Sequence, residues 1–278
     1  EYSPSANSYT QKLTGGGSYN SNEQYTGLVF DNGIYLTRPD RVPQYLSLSS
    51  GGNFTDLANW DSTERCKVLR SFNSFLVAFN ITKSSTSHPT MVKWSDVKVD
   101  NANPSWDETN ASLLAGENTL ADMPSEIVDA LALRNEMFIY SRNQIWRMTF
   151  IGGNDVFSFN RVFDGVGAIN TNCIAEADNK HYVFGLDDVF MHDGVTKVSI
   201  ADERVRNFIF DGINTSDNAG EVSKAFFVAH NAVSKEVIFC YTSGDSFVPN
   251  DLAGTARCNR GAVFNYINQT WSFIDLPN

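Results

Sequence analysis

With 32 acidic and 21 basic side chains among 278 residues, the chain carries a formal charge of −11, which removes the general electrostatic footprint needed to grip nucleic acid. Its length allows one large all-β domain or two smaller ones. Aromatic residues make up 13% of it, with 20 Phe, 10 Tyr and 5 Trp, a composition suited to sheets packed face to face. No apolar run approaches bilayer length, so membrane insertion is not expected. The first residues show no signal-peptide pattern, and Glu1 in place of Met reads as a processed chain or a fragment.

Residues 1–24 are polar and rich in Ser, Asn and Tyr, with Gly15-Gly16-Gly17 in the middle. They read as an extended arm or linker. The first hairpin is expected over Gly27–Phe30 and Ile34–Leu36, turning at Asp31-Asn32-Gly33, because Asn-Gly suits a turn with positive φ at both central positions. A third strand is expected at Gln44–Leu48, followed by a Gly/Ser turn at Ser49–Asn53. Strands follow at Cys66–Leu69, Phe75–Phe79 and Met91–Trp94, with a polar insertion at Lys83–His88 and a long acidic loop at Asp96–Asn118. Leu120–Ala130 is ambiguous: Pro124-Ser125-Glu126 could open a short helix or lead irregularly into the next strand.

The clearest β unit runs from Leu131 to Val162. Ile145, Arg147 and Thr149 alternate with Trp146, Met148 and Phe150; Ile151–Asp155 breaks the run; alternation resumes at Phe157 and Phe159. Period-2 alternation between Gly and Asn clusters predicts antiparallel strands joined by tight turns. Asp164–Asn172 is a Gly-rich crossover, and His181–Phe184 and Val189–His192 form a further hairpin, with Lys197–Ile200 closing a third strand. Residues 202–210 are the best helix candidate, with Asp202 as N-cap and Val205, Phe208 and Ile209 on one face. Ala225–Asn231 with Glu236–Tyr241, and Cys258–Tyr266 with Gln269–Phe273, make the last pairs.

Apolar strands begin near Val29, Phe75, Phe138, Tyr182 and Val237, an interval of about 45 residues once the loops at 96–118 and 243–257 are allowed for, which is the spacing of a β-propeller blade. The expected fold is therefore all-β: a propeller-like array of antiparallel blades of three or four strands over residues 25–278, with one short helix near 202–210. A β-sandwich with irregular hairpins is the alternative.

No constellation singles out catalysis. Asp187-Asp188 falls on a predicted turn and Asp202-Glu203 opens the predicted helix, both ordinary structural positions. The histidines His88, His181, His192 and His230 are scattered without zinc spacing; His192-Asp193 resembles an oriented base but lies at a hairpin end. Asp100, Asn101, Asn103, Asp107 and Asn110 could offer oxygens to Ca²⁺, yet their spacing is not that of an EF-hand loop. Gly15–Gly17 and Gly152-Gly153 lack the Lys and helix context of a phosphate cradle. Cys66, Cys173, Cys240 and Cys258 have no C-x-x-C spacing and read as buried thiols, with a Cys240–Cys258 disulfide as the alternative. The sequons at Asn53, Asn80, Asn110, Asn214 and Asn268 are expected by chance in so Asn-, Ser- and Thr-rich a chain. Trp60 and Trp106 lie in predicted loops and could form a sugar-stacking face, whereas Trp94, Trp146, Phe157, Phe159 and Trp271 are expected in the blade core. No catalytic, cofactor-binding or metal residues are expected, and the chain reads as a structural or binding module, not an enzyme.

Several segments resemble bacteriophage tail proteins, those forming the tubular tail, nozzle or hub of short-tailed phages and their long-tailed relatives. They are Val92–Val97 (VKWSDV), Asn103–Asp107 (NPSWD), Gln144–Gly153 (QIWRMTFIGG), Val156–Val162 (VFSFNRV), Gly165–Ile169 (GVGAI), His181–Gly194 (HYVFGLDDVFMHDG), Asp202–Phe210 (DERVRNFIF) and Asn268–Phe273 (NQTWSF). They are collinear and extend over roughly residues 65–275. The resemblance implies a propeller-containing structural protein of the virion, assembled in the bacterial cytoplasm as a ring, a homohexamer, beside portal, adaptor or other tail proteins. DNA passes through such a ring without specific binding. No catalytic residue or cofactor comes with the resemblance. A glycan-binding propeller acting in receptor recognition is the alternative.

Overall fold

A computed structural model of the chain describes residues 25–49, 52–99, 102–213, 225–244 and 258–276, together with the short paired strands β1 (Tyr2–Ser3) and β2 (Ser8–Tyr9). The expected arm otherwise lies outside the described residues, as do Gly15–Gly17, Asp100, Asn101, Asn214 and most of the loop 243–257. Among the described residues the fold is an all-β propeller-like array of five four-stranded antiparallel sheets, with one short α-helix. Each sheet is a meander in which neighbours in sequence are neighbours in space.

The first blade is β3 (Thr26–Phe30), β4 (Gly33–Thr37), β5 (Gln44–Ser47) and β6 (Thr55–Asp56). The second is β7 (Glu64–Phe72), β8 (Phe75–Lys83), β9 (Thr86–Trp94) and β10 (Gly116–Thr119). These two belong to one compact unit, Glu1–Leu120. The second unit, Ala121–Asn278, holds three blades. They are β11 (Ile127–Leu133), β12 (Glu136–Ser141), β13 (Gln144–Phe150) and β14 (Phe157–Asp164); β15 (Ile174–Ala177), β16 (Lys180–Phe184), β17 (Val189–His192) and β18 (Lys197–Ser199); and β19 (Phe227–Asn231), β20 (Glu236–Tyr241), β21 (Arg260–Asn265) and β22 (Thr270–Asp275).

Side-chain alternation explains the packing within each unit. Successive residues of a strand face opposite sides of its sheet. In β16, His181 and Val183 turn toward the third blade, while Tyr182 and Phe184 turn toward the fifth. Both faces are buried, so every residue of β16 from His181 to Phe184 is buried. The first unit is packed the same way, with Tyr35 and Leu28 of the first blade against Leu69, Ala78 and Met91 of the second. Thr26 and Thr37 tie these blades by donating to the Lys67 and Cys66 carbonyls at 3.3 and 2.9 Å.

Local chemistry accounts for several departures from expectation. The first hairpin pairs Phe30 with Gly33, so Asp31-Asn32 make the turn and Asp31 takes φ 51°. Gly33 is needed for a different reason: a Cβ there would lie 2.3 Å from the Tyr45 ring. Lys83–His88 is not an insertion but a tight hairpin turning at Ser84-Ser85. The ladder instead skips register between Phe79 and Ile81, opposite Pro89, which has no N–H to donate. Part of the acidic loop forms β10, and Ile127–Leu133 is strand, not helix. The helix α1 (Glu203–Phe210) stands where expected, with the Asp202 carboxylate accepting from the Val205 N–H at 2.8 Å.

Trp94, Trp146 and Phe157 are buried, whereas Phe159 and Trp271 are partly buried. The Trp146 indole N–H donates to Gln144 at 3.0 Å. Trp146→Ala is expected to destabilise the chain by about 3–5 kcal/mol, the range for a large-to-small core change; urea unfolding measures it, and unchanged stability would place the ring outside the core. Gly167 marks the passage from the third blade to the fourth. A Cβ there would lie 2.0 Å from the Ser141 carbonyl oxygen, a backbone atom that also accepts from the Ala168 N–H at 3.0 Å. Gly167→Ala should therefore lower stability by roughly 1–3 kcal/mol in the same assay.

Candidate functional site

Two polar clusters are built into the blades. The first belongs to the second unit. In the third blade, Asp129, Tyr140, Ile145 and Phe163 lie in one cross-strand row. In the fourth, the row is Glu176, His181, His192 and Lys197. The Tyr140 hydroxyl stands 2.7 Å from His181 Nδ1 and 2.5 Å from His192 Nε2. Tyr140 and His181 are fully buried and His192 is 1% exposed.

The surrounding backbone assigns every proton. His181 Nε2 lies 3.0 Å from the Ala132 carbonyl, which can only accept. That ring is therefore protonated on Nε2 and accepts the Tyr140 proton on Nδ1. His192 Nδ1 accepts from the Gly194 N–H at 3.1 Å, so its proton is also on Nε2 and is donated to the Tyr140 oxygen. Each ring nitrogen has one partner, and both rings are neutral. Burial lowers His181 to about 4, against the opposing hydrogen bond to Ala132. Burial, and then His181 itself, lowers His192 to about 3. Burial, with the nearby Asp129 charge, holds the Tyr140 phenol well above its usual range.

This arrangement does not suit a metal. A histidine that ligates through Nε2 normally donates a proton from Nδ1 to its surroundings, but His192 Nδ1 faces a donor. Nor is His192-Asp193 an oriented base. The Asp193 carboxylate turns away to accept from the Val195 and Thr196 N–H groups at 2.9 and 2.7 Å. The hydrogen bonds from Thr196 and Val195 hold its carboxyl below the usual range.

The second cluster belongs to the second blade. Lys93 Nζ donates to Glu64 at 2.8 Å and to Glu108 at 2.9 Å, and lies 5.9 Å above the Trp60 ring. Lys83 bonds Glu117 and pairs with Glu64 at 3.3 Å and Glu108 at 3.2 Å. Burial would lower the Lys83 ammonium, but the bond to Glu117 and the charge of Glu64 outweigh it and hold it above its usual range. Three carboxylates thus share two ammonium groups.

Trp60 and Trp106 are not exposed loop rings. They are 7% and 2% exposed and meet edge to face at 4.7 Å. A signal for this pair stands in the sequence: Trp60-Asp61-Ser62-Thr63 and Trp106-Asp107-Glu108-Thr109 share the pattern W-D-x-T. In both, the Asp accepts from the backbone N–H and hydroxyl of the Thr two positions on, so the same Asx turn follows each buried Trp. Among the described residues, no group of three or more His, Cys, Asp or Glu is arranged to hold a metal ion. Cys66, Cys173, Cys240 and Cys258 are free; burial pushes the Cys240 thiol up to about 11 and Cys66 and Cys258 to about 12, which leaves them protonated and poorly nucleophilic.

Comparison with known proteins adds the fold. No family model matches the chain, and no curated protein matches it. A chain from a structure described as the crystal structure of the mitotic checkpoint complex superposes with a TM-score of 0.54 at 11% identity, over 99% of this chain and 73% of that one. At that identity the likeness concerns the fold alone. The computationally designed Ika8 protein gives a TM-score of 0.43 at 10% identity, over 90% of this chain and 73% of that one.

The charge cluster makes a graded prediction. The side chains of Lys93 and Glu64 are 3% and 7% exposed, while that of Lys83 is 23% exposed. Lys93→Met strands buried carboxylate charge and should cost about 3–5 kcal/mol, whereas Lys83→Met should cost at most about 1 kcal/mol. Equal losses in urea unfolding would show that burial does not set the strength of these pairs.

Proposed function

We propose that this chain is a non-enzymatic structural component of a bacteriophage tail, in the nozzle, hub or head-to-tail connection, and that it assembles as a homohexameric ring around the DNA exit channel. The observation that carries this reading is the collinear set of tail-protein-like segments. Four of them fall on defined structural elements. Gln144–Gly153 takes in β13 and the turn after it, His181–Gly194 the β16–β17 hairpin, Asp202–Phe210 the helix with its cap, and Asn268–Phe273 the last turn and the first part of β22. A likeness spread over blades, turns and helix is what shared architecture produces, and it brings no catalytic constellation with it.

The charge supports the same reading. A net −11 opposes the counterion-release binding that basic walls would give to phosphates, so DNA can slide without sticking. Portal, adaptor or other tail proteins are the partners that fit, and the virion is where the protein would reside. A glycan-binding propeller drew its support from exposed Trp60 and Trp106, and both rings are buried against each other.

Electron microscopy of the purified protein, alone and mixed with portal rings, tests the proposal. Sixfold rings with a net acidic inner surface are expected. A net basic lumen, or a monomer that binds sugars on a glycan array, would overturn it.

A further inference from the structure

The contacts between the third and fourth blades concentrate an unusual demand on two side chains. Tyr140 sits between His181 and His192, giving its proton to one and taking a proton from the other. The outer nitrogens are held by backbone groups of opposite kind, the Ala132 carbonyl and the Gly194 N–H. This pattern closes for one protonation state only. A proton on His181 Nδ1 would turn that nitrogen into a donor and leave the Tyr140 hydroxyl proton without its acceptor. A proton on His192 Nδ1 would point at the Gly194 N–H. In the first case a buried O–H is left unsatisfied, in the second two donors face each other, and in both a charge is added in a buried place.

We propose that this seam is an acid-labile latch: it holds while both imidazoles are neutral, and protonation of either one releases the third blade from the fourth. The proposal is independent of the tail reading.

The groups around the seam do not rescue the charged form. From β11, Asp129 accepts from the Ala130 and Asn172 N–H groups, each at 2.8 Å. From the turn before β12, Arg134 bonds the carbonyls of Asp193 and Asn179. Beside His181 on β15, Glu176 accepts from the Asn179 N–H. Beside His192 on β18, Lys197 lies over the Phe190 ring at 5.4 Å and is a like charge. From β14, the Phe163 ring covers His192 at 5.3 Å, and from β12 Phe138 lies 5.7 and 5.1 Å from the two imidazoles. Asp193 does favour a charged His192, but burial and His181 outweigh it.

The sign of the pH effect follows from linkage. In the unfolded chain both rings protonate near 6.5, whereas in the folded chain they do so only near 4 and 3. Their contribution to stability is thus complete above the unfolded value and drains away as pH falls toward the folded ones. Within that window unfolding takes up two protons, so the folded-to-unfolded ratio should fall by up to about 100-fold per pH unit.

Three measurements on the full chain test the latch. Proton–nitrogen spectra of the imidazoles should show His181 and His192 as neutral Nε2–H tautomers from pH 7.5 down to about 4.5; a folded-state midpoint near 6–7 for either ring would overturn the proposal. Hydrogen exchange, corrected for its intrinsic pH dependence, should show Glu136–Ser141 and Lys180–His192 losing protection on acidification, and unchanged protection there would also overturn it. Urea unfolding between pH 7.5 and 5 should show the fall in the wild-type chain and little of it in the double variant His181→Gln, His192→Asn, which offers Ala132 a donor and Gly194 an acceptor without titrating. A double variant with the wild-type pH dependence would assign the effect elsewhere. Should that variant fail to fold, the wild-type imidazole spectra decide the matter alone.

Discussion

The constraint on which this structure depends is that an antiparallel blade satisfies its own backbone and leaves two faces of side chains to be buried. Within each blade the ladders pair N–H with C=O from strand to strand. Nothing in that pairing holds one blade to the next. Cohesion between blades comes chiefly from side chains that alternate across each strand and meet those of the neighbour, beside a few backbone bonds such as Val228 N–H to the Asn172 carbonyl, and the fourth blade, with the third on one face and the fifth on the other, shows this most fully. The aromatic richness is then a packing requirement. Phe184 alone meets Phe210, Phe226, Phe239 and Tyr241 with centroids 5.7–6.2 Å apart, edge to face in all but one case, as ring quadrupoles favour.

Apolar contact is tolerant of small shifts, so it does not by itself define how two blades register. The buried polar groups supply directionality. Tyr140 between two histidines, Asp129 reaching the Asn172 N–H, and Thr171 donating to the Val128 carbonyl all join the third blade to the fourth or to the segment leading into it. In the first unit, Thr26 and Thr37 do the same for the first two blades. A hydrogen bond in such a place contributes little net free energy when made and a large penalty when lost, which makes it a device for register more than for strength. That asymmetry turns the histidine seam from a contact into a potential switch.

Much of the fold was legible from residue pattern. Alternation around Trp146, the turn residues between strands, and the interval of about 45 residues pointed to repeated antiparallel blades, and Asp202 marked the helix start. What misled was chemistry seen without its surroundings. Asn32-Gly33 looked like the hairpin turn, but Gly33 answers to the Tyr45 ring on the neighbouring strand. Trp60 and Trp106 stood in polar stretches, and only the shared W-D-x-T turn hinted that both point inward. His192-Asp193, by contrast, reads as a hairpin end in the sequence, and the Asp193 carboxylate indeed turns away to the Val195 and Thr196 N–H groups.

What the sequence determined alone was the all-β class, the presence and order of most strands, and the helix cap, because these depend on residues within a few positions of one another. The partners of buried polar groups were decided only by tertiary structure. Tyr140 lies 41 and 52 positions from His181 and His192, and Lys93 lies 29 from Glu64. No short-range pattern encodes such meetings. They arise when whole faces are brought together by burial, and the proton on each nitrogen is then settled by whichever backbone group happens to stand opposite.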